Sequence, residues 1–139
     1  MGFLVFEREA PRDLAAAIER AASQLGEQVA ASSAAPTSLR VGDARLSMVA
    51  RAATAADHDE ATARAAACGA AGLDLLARRC ARVHRVTREG GVPRDELVAQ
   101  AALALALLGP VMPDDELTVY GVRGAQARLR AMGAAGSSR

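Results

Sequence analysis

The period of the hydrophobic positions changes several times along the chain, and each change predicts an element. Residues 3–7, FLVFE, put apolar side chains on both faces and predict a short buried strand. Pro11, Arg12 and Asp13 then open a helix, with proline suited to the first turn and Asp13 to the positive end of the dipole. Leu14, Ile18, Ala21, Leu25 and Val29 recur at three- and four-residue steps, and Arg12, Glu19, Arg20, Ser23 and Glu27 fill the other side. The run gives way to a small-residue loop, SSAAP, at 32–36.

The period falls to two over residues 38–50. Gly42-Asp43 suits a two-residue hairpin turn with glycine at its first central position. Closing the hairpin there sets Val41 opposite Ala44, Arg40 opposite Arg45, Leu39 opposite Leu46 and Ser38 opposite Ser47. Apolar residues then meet apolar ones, and Val41, Leu39, Leu46, Met48 and Ala50 share one face.

Thr54 and Asp57 carry the signature of a helix start, with Asp57, Asp59 and Glu60 loading the first turn with negative charge. The alanine-rich run beyond them predicts a helix from about 56 to 88, ending at Gly90-Gly91. Ala65, Gly69, Gly72, Leu76, Cys80, Val83 and Thr87 would line one side of it, and a break at Gly69–Gly72 into two helices is the alternative. Pro93, Arg94, Asp95 and Glu96 open a further helix over 93–108, apolar all round after Gln100. Gly109, Pro110 and Pro113 end it. LTVYGV at 117–122 reads as a strand and 125–132 as a short terminal helix.

The resulting order, β-α-β-β-α-α-β-α, places the chain in the α+β class. A small antiparallel sheet that includes the 38–50 hairpin is covered by three to four Ala/Leu-rich helices. At 139 residues one domain is expected, spanning 1–133, with a flexible tail at 134–139.

Composition narrows the picture. Half the residues are apolar, yet Phe3, Phe6 and Tyr120 are the only aromatics, so the core must be built from Ala, Leu and Val. All 17 basic residues are arginine and the net charge is +1, which argues against a general polyanion binder. The opening MGFLVFEREAPRD has no basic segment and no long apolar core, so no secretory leader is expected there. The apolar stretch 97–112 is shorter than the roughly 20 residues of a membrane span. Cys68 and Cys80, about 18 Å apart if they share one straight helix, would not bridge within it. Free thiols, no leader and no span together predict a cytoplasmic protein without membrane contact.

Candidate chemistry is sparse. His58, inside Asp57-His58-Asp59-Glu60, could ligate a metal or act as a base, but an acid-rich helix start accounts for its surroundings. His84 falls among Arg82, Arg85 and Arg88, where cations would complement a helix C-terminus. Gly121–Gly124 could cradle an anion or be an ordinary turn, and Asp114-Asp115 reads as a solvated turn. No nucleophile elbow, phosphate loop, dinucleotide fingerprint or metal spacing occurs, so no catalytic residue, cofactor or metal is assigned. Arg78, Arg82 and Arg85, with the hairpin pair Arg40 and Arg45, are the candidate anion contacts. Nucleic acid is disfavoured because no aromatics interleave with the arginines.

The 93–108 helix has more apolar surface than one stripe requires. That excess predicts a non-enzymatic interaction module, an adaptor or assembly subunit that associates with itself or with a larger protein. Leu97, Leu103, Leu105, Leu107 and Leu108 are its candidate interface. The alternative is a small-molecule-binding sensory domain, with small side chains lining a pocket and arginines holding an acidic ligand.

Overall fold

The computed structural model describes residues 1–34 and 36–137, with 133–137 described by backbone alone. The chain is α+β, with the elements β1 (Gly2–Glu7), α1 (Leu14–Gln24), β2 (Ala30–Ser32), β3 (Thr37–Val41), β4 (Ala44–Ala52), α2 (Ala55–Cys68), α3 (Leu73–Arg78), β5 (Arg82–Glu89), α4 (Pro93–Leu107), β6 (Val111–Pro113) and α5 (Val122–Ser137). The strands form one antiparallel sheet in the order β2-β3-β4-β5-β1-β6.

The hairpin forms in the predicted register, with Val41 opposite Ala44 and Ser38 opposite Ser47. Gly42 takes φ +55, the left-handed conformation that the turn requires. Leu39, Val41, Leu46 and Met48 point into the core as expected, whereas Ala50, toward the end of β4, is exposed.

Several other expectations are corrected. The first helix is capped by Asp13, whose carboxylate accepts from the Ala16 amide, and it stops at Gln24. Gly26 then turns the chain at φ +74, so Val29 reaches the core from outside the helix. The loop expected at 32–36 is preceded by an edge strand, Ala30–Ser32.

The largest correction falls on residues 56–88. Thr54 and Asp57 do form a capping box, and the chain does break at Gly69, which takes φ +69. Beyond the short α3, however, residues 82–89 are a central strand, paired with β4 on one side and β1 on the other. Val83, Val86 and Thr87 are β-branched and alternate faces, a strand signal that the surrounding arginines obscure.

At the C-terminal end, 117–122 is not a strand. Tyr120 makes a single bridge to Val111, and the edge strand is 111–113 instead. Helix α5 begins at Val122 and its backbone continues through 134–137, while 138–139 of the expected tail lie outside the described residues.

The two faces of the sheet are treated differently. Phe3, Val5, Leu39, Val41, Leu46, Met48 and Val86 face a layer of α1, α4 and α5. Leu4, Phe6, Val83 and Met112 face α2 and α3 through Ala61, Ala65 and Ala77. Helix α4 threads the centre of the first layer. Gly109, just beyond it, brings its backbone so close to β1 that a Cβ would sit 1.8 Å from the Phe6 carbonyl oxygen. Among the described residues no helix is long and apolar enough to cross a membrane.

Candidate functional site

The expected interface on α4 lies inside the domain. Leu97 is 8 % exposed, and Leu103 and Leu107 are fully buried. Leu105 is partly covered, and Leu108 is the helix C-cap at φ 52. Most of the apolar surface of the helix is covered by α1, α5 and the sheet, with Leu105, Ala106 and Leu108 half-buried, so its apolar excess does not by itself require an intermolecular contact.

Two polar residues on this buried helix, Glu96 and Gln100, anchor a network that the sequence reading did not identify. Arg88 donates to Glu96 at 2.9 Å, Gln100 to Glu96 at 3.5 Å, and Arg128 to Gln100 at 3.3 Å. Arg128 also pairs with Glu116, which accepts from Tyr120 Oη at 2.8 Å, and its guanidinium lies 4.6 Å from the centre of the Tyr120 ring. Burial, the larger influence, and the neighbouring Glu116 raise the Tyr120 pKa. A hollow of about 130 Å³ borders the network. Two arginines answer two glutamates, and no buried side-chain nitrogen or oxygen among the described residues lacks a partner. Such a closed network locks β5, α4, α5 and the 116–120 segment together. The one hint in the sequence was Gln100, a polar residue in an otherwise apolar run.

The expected arginine cluster is dispersed. Arg78 on α3 donates to Thr62 at 3.3 Å. Arg82 and Arg85 lie on a strand, three positions apart, and therefore on opposite faces. Arg82 sits opposite Glu7, and Arg85 donates to Asp114 at 2.6 Å. Arg40 and Arg45 remain together, directly opposite each other and exposed on the second face.

Both histidines have partners within the fold. His84 is buried on β5 with its Nε2 2.8 Å from Glu7, not on a solvated helix end. His58 sets its Nε2 3.1 Å from the Cys80 carbonyl oxygen and stacks on Phe6. Of the two thiols, Cys80 is buried and Cys68 is exposed. Burial pushes the Cys80 thiol up to about 11, away from the thiolate. Among the described residues no three His, Cys, Asp or Glu side chains converge to hold a metal ion.

Two further surfaces are open to solvent. A groove of about 630 Å³ runs between the α2–α3 connection and the start of α5. Gly69, Ala70 and Ala71 form one wall, Val119, Tyr120, Gly121 and Val122 the other, and Leu73 and Leu76 add apolar surface. Arg123 is the one charged residue of the lining, and among the described residues it meets no carboxylate. The second surface is a trough of about 650 Å³ across β2, β3 and β4, where Arg40 and Arg45 lie with Ser32, Ser38 and Ser47. Comparison with family models, with curated proteins and with solved structures found no match to the chain.

Proposed function

We propose that the chain is a non-catalytic ligand-binding domain whose groove beside α2 and α5 takes a small molecule with an apolar body and a carboxylate. The observation that carries this reading is the lining itself. The groove is concave, falls within the usual volume range of small-molecule sites and is walled by glycine, alanine, leucine and valine, with Arg123 the sole charge. Small residues leave room for the ligand, and a single cation at an apolar surface selects an anionic end group. Catalysis has no comparable support: the carboxylates of the network around α4, Glu96 and Glu116, are each answered by an arginine.

Thermal denaturation with straight-chain carboxylates of graded length tests the reading. The melting temperature should climb with concentration for the chain length that fits the groove, by an amount set by the ratio of ligand concentration to Kd. Arg123→Ala should remove the preference for a carboxylate over the matching alcohol while leaving alcohol binding intact. A full series of chain lengths that leaves the melting temperature unmoved would overturn it.

A further inference from the structure

We infer that the open half of the sheet's second face is a docking surface for an acidic, extended segment of another protein chain. The argument begins with the side chains that antiparallel registration brings into rows across the strands. Ala30, Arg40, Arg45 and Glu89 form one row, and Ser32, Ser38, Ser47 and Thr87 the next. The rows are about 7 Å apart, two residues along a strand. Every one of these residues is exposed.

Four arginines occupy this face, and they divide into two pairs. Arg51 donates two hydrogen bonds to Asp57, at 2.6 and 2.9 Å, and Arg85 is paired with Asp114. Arg40 and Arg45 have no carboxylate within ion-pair distance among the described residues, although Glu89 faces Arg45 from β5. Like charges set directly opposite on adjacent strands destabilise a sheet. A hairpin whose register is already secured by Leu39, Leu46, Val41 and Ala44 has no structural need of that pair. Carboxylates from outside would relieve the part of this repulsion that Glu89, opposite Arg45 but not in ion-pair contact with it, does not offset.

The shape and the remaining chemistry select the partner. The trough carries arginine, glutamate and serine side chains along its length, unlike the mostly apolar lining usual for a small-molecule site. Phe3 and Phe6 are buried and Tyr120 belongs to the network beside α5, so this face offers no ring on which a nucleic-acid base could stack. An extended peptide fits both rows, its acidic side chains on Arg40 and Arg45 and its backbone amides on the serine and threonine hydroxyls. It would lie over the face rather than extend the sheet. The β2 edge is guarded, because the outward Ala31 amide already donates to Glu19 at 3.0 Å.

The test is the affinity of the full chain for a glutamate-rich decapeptide, with its glutamine counterpart as control, at low and high salt. The glutamate peptide should bind and weaken with salt. Replacing both Arg40→Gln and Arg45→Gln should weaken it about tenfold, the sum of two exposed charge contacts. Arg20→Gln, on the outer side of α1, should leave it unchanged. Both hairpin substitutions lie on the surface and relieve repulsion, so the double variant should melt no lower than the parent.

Equal binding of the two peptides, or binding indifferent to the arginine pair, would overturn the proposal. A single-stranded oligonucleotide that bound more tightly than the peptide through the same two arginines would overturn it too. Because Arg123 lies outside this surface, loss of peptide binding with carboxylate binding retained would leave the groove reading standing.

Discussion

The second face of the sheet is two surfaces in one. Over β1, β6 and part of β5 it is apolar, and Leu4, Phe6, Val83 and Met112 are sealed beneath α2 and α3 by Ala61, Ala65 and Ala77. Over β2, β3 and most of β4 the same face carries serine, arginine and the exposed Val49, and among the described residues no helix covers it. The strands are continuous across the boundary and their pairing is alike in both halves. What differs is whether outward positions carry area worth hiding, at about 25 cal/mol per Å². Alanine on α2 and α3 allows close approach, so two short helices suffice to close one half. The other half has nothing to offer a helix and keeps its arginines in water.

The sharpest way to break that contrast is to exchange apolar area in the two halves. Phe6→Ala should cost about 3–5 kcal/mol, because Phe6 is fully buried and a cavity would remain. Val49→Ala, on the open half at 58 % exposure, should stay within about 0.5 kcal/mol. Urea denaturation of both variants measures the difference. Equal costs would mean that a covering partner is already present or that α2 and α3 do not seal their half.

A smaller effect is expected at the boundary between the halves, where Arg51 of β4 holds Asp57 of α2. Hydrogen bonds from Arg51, and further ones from Thr54, hold the Asp57 carboxyl at about 2 against an ordinary 3.8. The folded value is the lower one. The stabilisation is therefore complete above pH 3.8 and is lost as the pH falls through 2. Asp57→Ala should lower stability by about 1 kcal/mol at neutral pH, the usual worth of a helix cap. The gap from the parent chain should close in acid. A gap that persisted to pH 2 would mean that packing, not charge, ties α2 to β4.

The smallest effect should come from the open half itself. Arg40→Ser removes one member of the like-charged pair and extends the hydroxyl surface. Stability should stay level or rise by about 0.2–1 kcal/mol, read from the urea midpoint. A clear loss would mean that Arg40 supports the fold and would remove the argument that the pair is held for a partner.

Legibility in the sequence followed the range of the forces involved. The hairpin register was readable because turn chemistry and alternation act within a dozen residues, and both point to Gly42-Asp43. The Thr54–Asp57 cap and the start of α4 at Pro93 were readable for the same reason. Residues 82–89 misled because RVHRVTRE carries arginines at helix-like spacing. Its strand state is settled by β1 and β4, which bracket it from far away in sequence. The arginine row expected at 78, 82 and 85 dissolved with the helix that was to hold it, while Arg40 and Arg45 stayed paired because a hairpin holds them.

By itself, the sequence determined the α+β class, the hairpin and its register, the helix starts and the broad division of apolar from polar surface. These depend on backbone preference and periodicity, which act locally. Only the tertiary structure decided where α4 spends its surplus apolar surface, that 82–89 is a central strand, that Glu96 and Gln100 close a charge network, and that a groove opens beside Arg123. Each of these depends on which distant segments meet. A helix apolar on every side satisfies its own hydrogen bonds whether it lies in a core or at an interface, so burial by its neighbours alone separates the two.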